Sequence, residues 1–420
     1  MYFSIARIAV TLAALPFLVG AVPVQKSKRN TLSVPLSKRF THRDADGVVS
    51  VPNLLAGVHH TTVKFRRGFE AFERNTGEPH PLAPKHGRSD KRSDPGIVPL
   101  TDFHSFMWSG TIQAGTPSKE YSVDIDTGSA ILFLPGPSCQ SCQGLTIYDP
   151  SNSTTAKDLG QSTNLTFSIG SVFGNVFTDT INLGGFEASN EKLVVASNVT
   201  TNFNATNFGA DGILGMGFSG ISPFNGSTVF ENLRLADGEQ LPEQVFGIVL
   251  AESNSELIIG GRDSSRFEGN LTYTPDTTQG FWQIKLDNIT INGNDTHIGT
   301  KEAVIDTGTT QILGDHESIA NIYANIPGSA LNTSDSGDVW TFPCNTTVNA
   351  SLVFGNTTFK ISPDKFSLGP VSQGSDLCLG GFGDLPALIR FWVIGDVFLQ
   401  NVYAEFDYEN VQVGFAQLTS

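Results

Sequence analysis

The feature that most constrains this 420-residue chain is a short stretch that occurs twice. Val123-Asp124-Ile125-Asp126-Thr127-Gly128-Ser129 and Val304-Ile305-Asp306-Thr307-Gly308-Thr309-Thr310 each lead in on apolar residues, reach an aspartate and turn at Thr-Gly. Branched side chains suit a pleated strand, and glycine lets the backbone turn where other residues would be strained. The two aspartates stand 180 residues apart, about one small domain. A strand that ends in a turn explains either copy alone but not the pair. Two carboxylates held about 3 Å apart cannot both ionise comfortably, so they share one proton. The ionised member can then deprotonate a water while its protonated partner supports a carbonyl oxygen under attack. Such a pair splits an amide with neither metal nor covalent intermediate.

The composition suits a β-rich chain. Hydrophobic residues make up 39%, enough for sizeable cores, and charged residues only 16%, against about a quarter in typical soluble proteins. Ser, Thr, Asn and Gly fill the difference, as in folds with many turns. A net charge of −15 excludes nucleic acid as a partner, because phosphate binding needs a basic face. The charge is divided, however. Residues 22–92 hold 14 Lys/Arg against 6 Asp/Glu, whereas the chain from Ser93 onward holds 11 against 35. A basic leader on an acidic body reads as an electrostatic pair, with a disordered basic tail as the alternative.

Residues 1–21 carry Arg7, a short apolar run and a close of small residues, which reads as a cleaved signal peptide. Residues 22–92 read as a propeptide. Basic pairs stand at Lys28-Arg29, Lys38-Arg39 and Arg66-Arg67, and the segment closes on Lys91-Arg92. Twelve Asn-x-Ser/Thr sequons lie between Asn152 and Asn356 and none in the leader, which supports a secreted, glycan-coated body. The chain closes without an apolar tail, so no membrane anchor is expected. Cys139-Gln140-Ser141-Cys142 has the spacing of a zinc or redox motif. With no second such pair and an oxidising compartment, a small disulfide is the better reading. The body's histidines, His104, His297 and His316, are too scattered to suggest a metal site, so neither metal nor cofactor is expected.

Further motifs repeat the duplication. Asp211-Gly212-Ile213-Leu214-Gly215 follows the first Asp-Thr-Gly, and Trp392-Val393-Ile394-Gly395-Asp396 follows the second. Together with Gly115-Thr116-Pro117 and the leader stretch Leu32–Arg39, these resemble the pepsin-like aspartic proteases, nearest the fungal secreted, polyporopepsin-like type. Aspartic proteases are the established example of the shared-proton dyad. The resemblance implies a mostly all-β, bilobal fold with two pseudo-symmetric, barrel-like lobes, 93–280 and 281–420, and a cleft between them. It implies Asp126 and Asp306 as catalytic, with Ser129 and Thr309 donating to their outer oxygens and Gly128 and Gly308 placing amides near the inner ones. It also implies bridges at Cys139/Cys142 and Cys344/Cys378, and a basic propeptide that blocks the cleft until acid releases it. The chain would act as a monomer on protein and peptide substrates, with apolar residues around the cut.

One departure stands out. Phe167 to Gly185 should hold the hairpin flap, but no tyrosine is present, and Phe133 replaces the tryptophan that normally supports it. Ile169, Gly170 and Ser171 are what remains of its tip. The shortened flap motivates a rival reading, a pepsin-fold protein that binds peptides without cutting them.

Overall fold

The computed structural model describes residues 32–38, 46–84, 108–167, 170–200, 208–224, 226–235, 241–251, 253–334, 337–386 and 389–419. The expected signal peptide, the Lys91-Arg92 cut and Ile169 at the flap tip lie outside the described residues. Apart from residues 1–30, the chain forms one compact unit, Thr31–Ser420.

In the first lobe the hairpin Trp108–Ala114 and Lys119–Asp126 pairs antiparallel. Lys119–Asp126 then runs parallel to Gly212–Gly215, which lies antiparallel to Leu132–Pro135. That strand in turn runs parallel to Phe186–Val199. The long strand Gly170–Leu183 joins Phe186–Val199 and returns to Trp108–Ala114 through Ala114↔Ile181, which closes the barrel. The second lobe repeats this local plan. Glu302–Ile305 runs parallel to Trp392–Ile394, which is antiparallel to Ile312–Gly314, itself parallel to Phe382–Asp384. Each aspartate therefore ends a central strand with an apolar-apolar-Gly strand alongside. Val123 and Ile125 are buried on one face of their strand, where a slip by one residue would put Asp124 and Asp126 in their place. Val304 and Ile305 are buried on opposite faces, as in a strand covered on both sides.

The two glycines of those neighbouring strands explain their own presence. A Cβ on Gly215 would stand 2.3 Å from the Ile131 amide nitrogen, and one on Gly395 would stand 2.1 Å from the Thr309 carbonyl oxygen. Backbone passes too close for any side chain at either point.

A further sheet joins the lobes: Phe267–Pro275, Gln412–Leu418, Val402–Asp407, Val245–Val249 and Ser255–Ile259, in that spatial order. The next strand is Leu32–Lys38, from the leader. It pairs with Ser255–Ile259 on one side and with Trp108–Ala114 on the other, burying Val34 and Leu36.

The leader also supplies a helix, Val51–Thr76. Pro52 sits in its first turn, where its missing N–H costs nothing. Gly77 stops it at φ 81°, its N–H bonded to Glu73 O, as a left-handed cap should. Thr61, Lys64, Phe65, Gly68, Phe69, Ala71 and Phe72 are buried at three- and four-residue spacing, one face of a helix. Gly68 lets that face lie flat on the body, since a Cβ there would meet the Phe281 ring at 2.4 Å. Both expected disulfides are formed, Cys139–Cys142 and Cys344–Cys378.

Gly215→Ala is expected to lower stability by roughly 1–3 kcal/mol, the cost of overpacking a well-filled site. Urea unfolding should show a lower midpoint with an unchanged slope.

Candidate active site

Each Asp-Thr-Gly turn brings its carboxylate against the other lobe. A Cβ on Gly128 would stand 2.3 Å from Asp306 Oδ1, and one on Gly308 would stand 2.4 Å from Asp126 Oδ1. Only glycine leaves room for the opposing carboxylate at both points. The same glycines donate backbone hydrogen bonds within their own turns, Gly128 N to Asp126 Oδ1 at 2.9 Å and Gly308 N to Asp306 Oδ1 at 3.0 Å.

The middle residues of the two turns hold the lobes in register. Thr127 N donates to Thr307 Oγ1 and Thr307 N to Thr127 Oγ1, both at 3.0 Å. Their hydroxyls continue across the interface, Thr127 Oγ1 to Ile305 O at 2.9 Å and Thr307 Oγ1 to Ile125 O at 2.6 Å. All four bonds are buried, so the donors have no water to fall back on. These threonines lie inside the Asp-Thr-Gly motif, and nothing local to it marks their partners in the other lobe.

Thr309 Oγ1 donates to the outer oxygen of Asp306 at 2.7 Å. The other lobe is not a mirror copy. Ser129 Oγ is buried without a hydrogen bond of acceptable geometry, although it stands near enough to Asp126 to favour the ionised form.

The groove between the carboxylates is filled. Lys64, from the leader helix, donates to Asp306 Oδ2 at 2.8 Å, Asp306 Oδ1 at 2.9 Å and Asp126 Oδ1 at 3.2 Å, with all three side chains buried. Burial alone would push the Lys64 ammonium down, but the two carboxylates outweigh it and raise its pKa. Burial pushes both aspartates up. At Asp126 the Lys64 charge prevails and holds it below the usual carboxylate range. Asp306, which also faces the Asp126 charge, stays above that range. The asymmetry belongs to the coupled pair rather than to either residue. Asp124, two positions upstream, is buried as well; desolvation first, and then Asp126, push it well above the usual range. Nothing in the sequence separated Lys64 from the other basic residues of the leader.

The remaining expected site residues fall nearby. The flap region is a hairpin of Lys157–Phe167 and Gly170–Leu183, with Phe167 opposite Gly170. Ser171 is fastened to Thr200 by two bonds, Ser171 N to Thr200 Oγ1 and Thr200 N to Ser171 O. Phe133 is buried in one apolar cluster with Leu165, Val172 and Val194. Apolar packing thus joins Phe133 to the hairpin close to its turn, where Leu165 pairs with Val172. Arg67 from the helix reaches the hairpin at Asn164 O, 2.9 Å away.

Residues 107–418 match the family described as eukaryotic aspartyl protease. The chain belongs to that family. It is 32% identical over 413 residues to an aspartic protease of Phaffia rhodozyma, covering 95% of each chain. It is 30% identical over 420 residues to rhizopuspepsin of Rhizopus chinensis, covering 97% of each, and 31% identical over 330 residues to pepsin A of Sus scrofa, covering 76% of this chain and 84% of that one. As a eukaryotic aspartyl protease, the chain is an aspartic-type endopeptidase with a pepsin-like bilobal fold. Among the described residues no helix is long and apolar enough to cross a membrane.

Thr307→Val keeps the shape of the turn but strands the Thr127 amide and removes the bond to Ile125 O. Leaving buried groups unsatisfied costs about 1–3 kcal/mol. The variant is expected to unfold at lower urea and to lose most peptide hydrolysis, with the two effects measured on the same preparation.

Proposed function

We propose that the chain is made as a secreted zymogen, and that the body freed of residues 22–92 hydrolyses peptide bonds at acid pH with Asp126 and Asp306 as its dyad. The contact that carries this reading is the Lys64 ammonium between the two carboxylates. A cation bonded to both fills the space that a bridging water needs, so the chain in this form cannot perform the hydrolysis. With the helix gone, one carboxylate takes a proton from the bound water and the other, protonated, polarises the scissile carbonyl. The roles then reverse as the amine leaves. Thr309 and the Gly128 and Gly308 amides hold the carboxylates in place during the exchange.

Several features support the secretory part of the reading: the apolar leader, the sequons and two disulfides in a chain with no free cysteine among the described residues. Apolar substrate side chains are favoured because the surface that the helix covers is apolar. Phe65 and Phe69 pack there against Phe281 and Phe391, beside Ile221 and Leu385.

The pH dependence follows from the signs. Of the coupled pair, Asp306 is held above its ordinary value and takes its proton first, which leaves Asp126 as the last carboxylate to hold Lys64. Asp126 is held below its ordinary value, so the stability it gains from Lys64 is complete above about pH 4 and is lost as pH falls through the lowered value. Acid therefore releases the segment and leaves the dyad free.

The deciding experiment acidifies the full chain and its Asp306→Asn variant with a denatured protein substrate, following peptide release and loss of the leader together. Hydrolysis by the wild type alone is the expected result. Inertness of both after the leader has gone would sink the proposed dyad chemistry.

A second variant tests the lock. Removing one partner of a buried ion pair costs about 3–5 kcal/mol. Lys64→Met is therefore expected to expose residues 51–76 to hydrogen exchange at pH 7, where the wild type stays protected.

A further inference from the structure

Past the end of the helix, His80 turns back beneath it and is 2% exposed. Its ring lies in a cage of three phenylalanines, 5.1 Å from Phe69, 4.7 Å from Phe72 and 5.6 Å from Phe281 between ring centroids. Phe69 and Phe72 belong to the leader helix and Phe281 to the body, so the imidazole fastens one to the other. Gly280 makes room for it: a Cβ there would stand 3.3 Å from His80 Cδ2.

The hydrogen bonding defines the protonation state. Leu82 N donates to His80 Nδ1 at 3.2 Å, so Nδ1 is an acceptor and carries no proton. Nε2 then bears the hydrogen of the neutral ring, and it is buried without a partner. A second proton has only Nδ1 to occupy. There it would face the Leu82 N–H, two donors meeting head-on, with a full positive charge in an apolar cage.

We propose that His80 is an acid-sensitive latch: protonation at Nδ1 breaks its bond to Leu82 N, drives the imidazolium out of the Phe69–Phe72–Phe281 cage and frees the end of the leader helix from the body. This rests on the reading of residues 22–92 as the segment that silences the dyad, and it adds a second trigger to that segment. Burial holds the His80 pKa down, from 6.5 to about 4. No charged group contributes to that shift. Phe69 and Phe72 face the ring from the helix, Gly280 and Phe281 face it from the body, and Glu78 on its own turn is exposed. Arg74, in the last helical turn, is bonded away to the carbonyls of Ser222 and Pro223.

The sign is that of a depressed histidine. The docked form disfavours the proton, so docking weakens as pH falls below 6.5 and stops weakening below about 4. At pH 5 the linkage amounts to about a thirtyfold shift toward the open form. The latch therefore acts at milder acidity than the loss of the Lys64–Asp126 pair, which needs a carboxylate to be protonated.

The test is an acid jump of the full chain from pH 7.5 to pH 5, reading pulsed hydrogen exchange of residues 51–84 in the first seconds alongside peptide hydrolysis. His80→Leu removes the titration. His80→Phe does the same with a ring that keeps the cage filled, and decides the matter if the leucine variant is unprotected at pH 7.5. His59→Gln, an exposed histidine on the same helix, is the control. The wild type and His59→Gln should open about thirtyfold more at pH 5 than at pH 7.5, and the His80 variants should lack that increment. Equal opening in all four chains would overturn the latch and leave the endopeptidase reading standing. Opening that depends on His80 without any peptide hydrolysis would uphold the latch and count against the proposed catalysis.

Discussion

Two carboxylates pressed together inside a protein repel each other, and here each is also confined by the other lobe's glycine. A single ammonium, Lys64, answers that repulsion. The buried ion pair is a poor source of net stability, since the desolvation of three charged groups offsets much of the attraction. Its value lies in the dependence it creates. The lobes place the carboxylates through the Thr127–Thr307 bonds, the helix delivers the cation, and the aromatic face of the helix keeps the cation dry. Loosening any one of these admits water, and water weakens the attraction by raising the local dielectric.

Much of this could be read from the residues. Asp126 and Asp306 announce themselves because the same apolar lead-in and Thr-Gly turn occur twice, and strand periodicity is a short-range signal. Gly215 and Gly395 stand out for a similar reason, as apolar runs cut short by glycine. Lys64, Thr127, Thr307 and His80 did not stand out. What matters about them is a partner far along the chain: Lys64 meets Asp306 across 242 residues and Thr127 meets Thr307 across 180. No local pattern marks Lys64, rather than Arg66, Arg67 or Arg74, as the basic residue of this helix that reaches the two carboxylates. His80 sits between two prolines, outside any periodic element, and its cage is completed only by Phe281, about 200 residues along the chain.

The flap shows how a departure from the family's pattern can be internally consistent. Without a tyrosine to support, the position of Phe133 needs no polar atom, and it joins Leu165, Val172 and Val194 in a wholly apolar cluster. An indole N–H and a phenolic O–H are lost together, so neither remains to need the other.

The strand Leu32–Lys38 carries a different kind of consequence. It fills the slot between Ser255–Ile259 and Trp108–Ala114 in a continuous sheet. Excision after Arg92 would withdraw it and leave two facing edges with open amides and carbonyls, one strand's width apart. Such a slot templates whichever extended segment arrives first, whether from the same chain or a neighbouring one. On the proposed maturation, self-repair and strand exchange would compete for that slot. Dilution would favour the first, and crowding the second.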